Sequence, residues 1–149
     1  MTRIDQIQPG DQLPALTDKP DNVQLFLYNA ALWNAHRIHF DLPYAKDVEG
    51  YPGLVIAGPL MGDWLTQCVL QWLGQDGRLA GIEYSNRQAA YIGETLTTSG
   101  KVLEVDAAAG TATVEVAVTN EAGDVITPGT ATVRFHDTGL GHDSDRGAS

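Results

Sequence analysis

The most regular pattern in the chain is a broad apolar stripe between residues 58 and 74. Its members recur at i, i+1, i+4 and i+5, the spacing of one wide helical face: Leu60, Met61, Trp64, Leu65, Cys68, Val69, Trp72 and Leu73. We expect Gly58 to cap this helix, Pro59 to occupy its first helical position and Gly74 to end it. A stripe this wide predicts a helix that is enclosed by a sheet.

Strand patterns separated by turns follow this helix. Residues 111–119 alternate between apolar and polar positions with period two, and Gly110 and Gly123 supply turns on either side. Together with this strand we predict strands over residues 78–87, 93–105, and 125–126 continued by 130–136. The expected arrangement is an antiparallel meander of four strands.

The first third of the chain predicts one strand and one helix. A short strand fits residues 12–17, and Asp21 and Asn22 offer an N-cap for a helix over residues 23–32. The fold class is therefore α+β, with an antiparallel sheet packed on a helix. We expect a single domain over residues 1–138 and a small, polar, flexible tail over residues 139–149.

Composition narrows the function classes. The chain has 149 residues, 43% hydrophobic and 19% charged, which is typical of one soluble globular domain. A formal net charge of -10 argues against nucleic acid or an anionic membrane surface as the partner. One cysteine excludes an internal disulfide, and no apolar run reaches the roughly 20 residues of a membrane span. Because no signal peptide is apparent, we expect a cytoplasmic protein.

Between the two helices lies a segment rich in polar groups. Asn34, His36, His39 and Asp41 fall within eight residues among apolar neighbours. Buried polar groups need hydrogen-bond partners, so this segment is not a simple core helix. We expect Asp41 to cap a short helical turn in which Pro43 occupies an early position.

Residues 32–41, Leu-Trp-Asn-Ala-His-Arg-Ile-His-Phe-Asp, resemble position by position the hydratase signature of the MaoC-like (R)-enoyl-CoA hydratases and 3-hydroxyacyl-CoA dehydratases. The resemblance covers roughly residues 10–137 and is supported by residues 53–65, 84–87 and 93–94. Within this family, the segment from Asn34 to Asp41 is similar in particular to a branch that includes mitochondrial-type 3-hydroxyacyl dehydratases and mesaconyl-type hydratases. The resemblance implies the hot-dog fold, in which a curved antiparallel sheet wraps around a long central helix.

The resemblance also implies roles for three residues. In the family an acidic residue and a histidine five positions later act on a water molecule; His39 matches the histidine, and Asn34 stands where most members carry aspartate. An amide can accept a hydrogen bond from water but cannot take its proton. Asn34 is therefore expected to orient the water and His39 to transfer the proton. Gly58 matches the glycine whose N–H holds the thioester oxygen, at a helix N-terminus that favours negative charge.

Further residues are expected to bind substrate. His36 and Arg37 stand where the family commonly has asparagine and proline, and they contact either the CoA phosphates or a partner chain. Pro59 and Asp63 follow Gly58 on the helix, where Asp63 either lines the cavity or remains solvated. We expect His39 to lie in a loop, so that its replacement by alanine leaves folding intact.

The expected reaction is hydration of a trans-2-enoyl-CoA thioester to a 3-hydroxyacyl-CoA, or the reverse dehydration, in lipid metabolism. The acyl group and the choice between CoA and acyl-carrier protein remain open. Two alternatives are a half-catalytic or non-catalytic subunit of a heteromeric hydratase and a hot-dog acyl-CoA thioesterase. We expect no cofactor and no metal, since no thiolate or further histidine accompanies His36 and His39.

We also expect a dimer or higher oligomer, formed with itself or with a second hot-dog subunit. A single hot-dog sheet leaves an edge strand uncovered, and natural sheets rarely leave long edges open. No nucleic acid and no membrane are expected as partners.

Overall fold

The computed structural model describes residues 4–136 and shows a five-stranded antiparallel sheet packed on one long helix. The strand order across the sheet is β1-β3-β4-β5-β2. The elements in chain order are β1 (Gln12–Asp18), α1 (Asn22–Ala31), α2 (Gly58–Leu73), β2 (Gly77–Tyr84), β3 (Leu96–Asp106), β4 (Thr111–Thr119) and β5 (Val125–Phe135). Short 3-10 helices lie at Ile4–Gln6 and Arg37–His39, and a π-helical turn at Tyr44–Val48.

Helix α2 lies at the centre of the molecule. Its apolar stripe is buried except for the half-buried Trp72, and the helix contacts all five strands, as the width of the stripe predicts. Gly74 ends the helix with its N–H bonded to the carbonyl of Leu70 at 2.9 Å. Gly58 is the first helical residue rather than the cap, and Ala57, in an extended conformation, precedes it. The predicted start is therefore wrong by one residue.

The sheet supplies the other half of the core. Strand β4 alternates between buried and partly exposed positions, so that Ala112, Val114, Val116 and Val118 point towards α2 while their neighbours face away. Trp64 is 2% exposed and belongs to this core. The period-two pattern of residues 111–119 thus predicts both the strand and its buried face correctly.

The predicted four-stranded meander is wrong in one connection. Strands β3, β4 and β5 form consecutive hairpins, but β2 pairs with β5 at the edge of the sheet and not with β3. Residues 85–95 separate β2 from β3, which is too long for a tight hairpin turn. Part of this connection runs beside β5 instead: Ser85 N–H donates to Pro128 O at 3.1 Å and Arg87 N–H to Ile126 O at 2.9 Å.

Strand β5 is continuous, although Pro128 and Gly129 divide the predicted strand into two pieces. The carbonyl of Pro128 faces Ser85. Because the N–H and C=O of one strand residue point to the same side, the missing N–H of Pro128 also faces residues 85–87, beyond the end of β2. The ladder between β4 and β5 therefore loses no hydrogen bond at this proline.

The architecture is the hot-dog fold of the α+β class, as predicted. None of the helices within residues 4–136 is long and apolar enough to span a membrane. The expected flexible tail over residues 139–149 lies outside the described residues.

Candidate active site

His39 is anchored to the segment that leads into α2. Its Nδ1 lies 2.7 Å from the carbonyl oxygen of Val55, while the N–H of Val55 donates to Ile38 O at 3.0 Å. Val55 also forms an isolated bridge with Tyr91. The polar segment is therefore bound to backbone that lies three residues before Gly58, the first residue of α2.

These contacts define the tautomer of His39. A carbonyl oxygen only accepts hydrogen bonds, so Nδ1 carries the hydrogen and the neutral ring keeps the lone pair on Nε2. Among residues 4–136 no group is hydrogen-bonded to Nε2. Burial lowers the pKa of His39 below its ordinary 6.5, the nearby His36 lowers it further, and the bond to Val55 opposes this shift. Near neutral pH the ring is a neutral base.

The structure corrects the expectation that His39 lies in a dispensable loop. The residue ends the 3-10 helix Arg37–His39 and is 7% exposed. Its replacement by alanine would leave the carbonyl of Val55 without its donor, which typically costs about 1–3 kcal/mol. A loss of activity in that variant would combine lost chemistry with lost stability.

Asn34 is placed by the C-terminus of α1. The N–H of Asn34 donates to Asn29 O at 2.8 Å and that of Trp33 to Ala30 O at 3.1 Å. This 6→1 and 5→2 pair of bonds is a Schellman motif, with Trp33 at the left-handed position (φ 58°) where glycine is preferred. The helix end therefore brings the side chain of Asn34 over that of Asn29, and Asn34 Nδ2 donates to Asn29 Oδ1 at 2.8 Å.

The other side of the Asn34 amide faces the histidines. Asn34 Oδ1 accepts the N–H of His36 at 3.2 Å, and the rings of His36 and His39 meet edge to face with centroids 5.7 Å apart. Asn34, His36 and His39 thus form one connected group, with His36 exposed and His39 buried.

Gly58 presents a free backbone donor. The N–H groups of Leu60 and Met61 bond to Ala57 O, and Pro59 has none. Within the described part of the chain the N–H of Gly58 has no acceptor. This N–H, at the positive end of α2, can stabilise a developing oxyanion.

Asn86 is a site residue that the sequence does not reveal. A Cβ built on Gly58 would overlap Asn86 Nδ2, so the amide nitrogen lies directly against the start of α2. Asn86 Oδ1 accepts the hydroxyl of Thr127 at 2.9 Å, and Thr127 is fully buried. This bond turns the amide nitrogen towards Gly58 and adds a second donor there. Residues 84–87 belong to the family resemblance, but the partner at position 127 is remote in sequence.

Arg37 and Asp41 pair with each other. Arg37 Nε and Nη2 lie 2.9 and 2.7 Å from Asp41 Oδ2, and the guanidinium stacks 4.2 Å above the ring centre of Tyr44. These bonds, and the Tyr44 N–H that Asp41 Oδ1 accepts at 3.2 Å, lower the pKa of Asp41. The predicted cap by Asp41 is confirmed. The side chain of Arg37 is half-exposed. Its role in binding phosphate stays a prediction.

Asp63 lies one turn into α2 and is exposed. Its Oδ2 accepts the hydroxyl of Tyr28 at 2.6 Å. Burial raises the pKa of Tyr28 far above its ordinary value, and the bond to Asp63 raises it further. Asp63 therefore joins α1 to α2 and is not a solvated lone acid. Pro59 is exposed beside it, and the binding roles of both residues stay predictions.

A sequence model of the hydroxyacyl-thioester dehydratase type 2 family matches residues 5–92. The chain belongs to the hydroxyacyl-thioester dehydratase type 2 family. The matched range contains the polar segment, the start of α2 and Asn86, whereas Thr127 lies beyond it.

This dehydratase-family chain also resembles individual proteins. It is 60% identical over 56 residues to mesaconyl-C(4)-CoA hydratase of Chloroflexus aurantiacus, which is 38% of this chain but 20% of that protein. The chain thus matches only a fifth of that relative's length. The (R)-hydratase from A. caviae involved in PHA biosynthesis superposes with a TM-score of 0.80 at 17% identity, over 87% of this chain and 98% of that one. A chain of the ChsH1-ChsH2 complex from Mycobacterium tuberculosis gives 0.77 at 21% identity, over 87% and 98%. At these identities the two structures establish the fold.

An apolar surface adjoins the site of this dehydratase-family chain. A cleft of ≈ 290 Å³ is lined by Asn22, Val23, Phe26, Leu27, Phe40 and Leu54. Phe26 and Phe40 meet edge to face with centroids 6.4 Å apart, and both are more than 40% exposed. Leu32, Trp33 and Leu42, which are near Phe26 and Phe40 in sequence, are also exposed.

No group of three or more His, Cys, Asp or Glu side chains within residues 4–136 could hold a metal ion.

Proposed function

We propose that this chain hydrates a trans-2-enoyl thioester to a 3-hydroxyacyl thioester and catalyses the reverse dehydration. One observation carries the proposal. The histidine of the signature is buried, donates Nδ1–H to Val55 O and keeps Nε2 free, on a segment that is bound directly ahead of the Gly58 helix terminus. Membership of a hydroxyacyl-thioester dehydratase family supports the same class of reaction.

In the hydration direction Asn34 and His39 handle the water. Asn34 Oδ1 accepts a hydrogen bond from the water, and His39 Nε2 takes its proton as the oxygen attacks C3 of the enoyl group. The C3–O bond forms while the electrons of the double bond move through C2 onto the thioester oxygen. The imidazolium then returns the proton to C2, so that one water is added across the double bond.

Two donors hold the charge that develops on the thioester oxygen. The N–H of Gly58 points from the positive end of α2, and Asn86 Nδ2 lies against Gly58. Preorganised donors at such a position typically contribute about 10²–10³-fold to the rate each. The reverse reaction uses the same groups, with His39 Nε2 removing the proton from C2.

We infer the substrate class from the names of the family and of one relative. The name of the Chloroflexus relative specifies a CoA thioester, and the family name specifies hydroxyacyl thioesters. We therefore propose a CoA or acyl-carrier-protein thioester as the substrate, with His36 and Arg37 at the polar end of the site. The cytoplasmic location also stays a prediction.

We further propose that the active form is at least a dimer. Strands β1 and β2 form the two edges of the sheet, and the apolar surface around Phe26 and Phe40 is exposed. A second hot-dog subunit, of this chain or another, would cover them. Light scattering on the active form should return clearly more than the 16.0 kDa mass of one chain: a multiple of it for identical chains, or the summed mass with a second subunit. An active form with the mass of one chain would contradict this.

A second candidate is a half-catalytic subunit of a heteromeric hydratase. Asn34 favours it because an amide cannot act as a base, and the ChsH1-ChsH2 complex shows that this fold occurs in complexes of two named components. Co-purification with a second hot-dog chain that restores activity would support it, whereas an active assembly of identical chains would exclude it.

The proposed function is tested with a panel of trans-2-enoyl-CoA and acyl-carrier-protein thioesters of different acyl groups. We expect loss of the conjugated absorbance without release of free thiol. Thiol release without hydration would indicate a thioesterase. No reaction with any acyl group, alone or with a co-purified partner, would refute the proposal.

A further inference from the structure

The amide of Asn29 has only one favourable orientation. Asn29 is 1% exposed, and its Nδ2 donates to the carbonyl of Leu25 at 2.7 Å. A carbonyl oxygen cannot donate, so the nitrogen of Asn29 must face Leu25. Asn29 Oδ1 then faces position 34 and can only accept a hydrogen bond there.

This orientation determines that of Asn34. Asn34 Nδ2 donates to Asn29 Oδ1 at 2.8 Å, so Asn34 Oδ1 points the other way and accepts the N–H of His36 at 3.2 Å. An amide oxygen has two lone pairs, and one remains available. The position five residues before His39 therefore presents an acceptor in a defined direction without carrying a charge.

We propose that Asn29 is a positioning residue: its orientation favours an amide side chain at position 34 and disfavours a carboxylate there. The inference rests on the proposed function, because it gives Asn34 Oδ1 the task of holding the reacting water. On this proposal the asparagine at position 34 of the signature is one half of a hydrogen-bonded pair of amides, and it does not mark the loss of an active site.

The Asn34→Asp variant shows why the pair is selective. One carboxylate oxygen would lie at hydrogen-bond distance from Asn29 Oδ1, and neither atom carries a hydrogen. Rotating the Asn29 amide by half a turn would supply a donor to the carboxylate but would place Oδ1 against Leu25 O. Either arrangement leaves two acceptors in contact in a buried place, which is costly.

Serine at position 29 would remove this selectivity. A hydroxyl is both donor and acceptor, so Asn29→Ser can accept from the amide of Asn34 or donate to a carboxylate introduced there. Asn29→Ala can do neither. The set of Asn34→Asp, Asn29→Ser, Asn29→Ala and the double variant Asn29→Ser/Asn34→Asp therefore separates the effect of the pair from that of each residue.

The first readout is the rate of enoyl-thioester hydration. We expect Asn29→Ala to lower kcat by about tenfold with little change in KM, because the water is less well oriented. Asn34→Asp should lower kcat by about tenfold or more in the wild-type background, and by about threefold or less in the Asn29→Ser background. An increase of kcat in Asn34→Asp alone, or equal losses in both backgrounds, would overturn the proposal.

The second readout does not depend on activity. In urea unfolding, Asn34→Asp should lower the midpoint in the wild-type background and lower it less in the Asn29→Ser background. Gln24→Glu is the matched control, since it also replaces an amide by a carboxylate, at an exposed site in the first turn of α1, and should not lower the midpoint. If hydration fails but the midpoints show this coupling, the proposed function is wrong and the amide pair stands. Equal midpoint shifts in both backgrounds would overturn the amide pair itself.

Discussion

His39 donates its Nδ1–H to the carbonyl of Val55 at 2.7 Å, and this bond joins the polar segment to the backbone three residues before α2. The same bond leaves Nε2 as the only basic atom of the ring. One contact therefore serves both the fold and the proposed chemistry.

The first prediction concerns pH. Burial holds the pKa of His39 below 6.5, and the reaction uses the neutral ring, so the acidic limb of kcat/KM should lie below pH 6.5. The unfolded chain binds this proton more readily than the folded chain. Above pH 6.5 His39 is neutral in both states, so its titration does not reduce the free energy of unfolding. As the pH falls below 6.5 and through the lowered pKa of the folded state, the free energy of unfolding should decrease. A kcat/KM profile and urea unfolding over the same pH range measure both effects, and an acidic limb above pH 6.5 would contradict the assignment.

The second prediction concerns the oxyanion donors. Gly58→Ala should displace the amide of Asn86, because the new Cβ would occupy its place. We expect kcat to fall by about 10²-fold while KM changes little.

Gly53→Ala is the control for this substitution. Nothing lies within 4 Å of a Cβ built on Gly53, so the same change there should leave kcat unaltered. Equal kcat values for Gly58→Ala and the wild type would show that neither Gly58 nor Asn86 holds the thioester oxygen.

The third prediction concerns Asn86 and Thr127. Asn86→Asp replaces the donor beside Gly58 by a negative charge of the same shape, and should lower kcat by about 10²–10³-fold. Thr127→Val removes the hydroxyl that orients Asn86, and should lower kcat by about tenfold with KM nearly unchanged. If Thr127→Val lowered only the unfolding midpoint and left kcat intact, the hydroxyl would serve the core alone.

The fourth prediction concerns stability. Trp33 occupies a left-handed position with 94% of its surface exposed, so its side chain stabilises the described chain little. Trp33→Gly should raise the free energy of unfolding by about 0.5–1 kcal/mol, because glycine adopts this conformation without strain. Trp33→Ala should give no such gain, since alanine keeps a Cβ. A loss of stability in Trp33→Gly measured on the isolated chain would mean that the indole packs on a partner.

Local patterns predict the fold well where neighbouring residues determine it. The stripe from Leu60 to Leu73 predicts α2, and the alternation of residues 111–119 predicts β4 and its buried face. The partner of β2 could not be predicted, since the choice between β3 and β5 depends on residues 85–95, whose hydrogen bonds go to distant backbone.

The residues of the candidate site likewise fall into those that the sequence identifies and those that only the structure shows. Asn34, His39 and Gly58 lie in contiguous signatures, so the sequence identifies them. The sequence does not identify Asn86 as a site residue, because the orientation of its amide depends on Thr127, which comes 41 positions later. Asn29 has the appearance of an ordinary helical residue until the Schellman motif brings Asn34 onto it.

The measurement that tests the central claim most directly is the hydration rate of His39→Asn compared with that of the wild type. The asparagine side chain can keep the donation to Val55 O while lacking Nε2, so the free energy of unfolding should stay close to that of the wild type. We predict that kcat falls by about 10²–10⁴-fold. A well-folded His39→Asn protein that hydrates enoyl thioesters at nearly the wild-type rate would contradict the assignment of His39 Nε2 as the base.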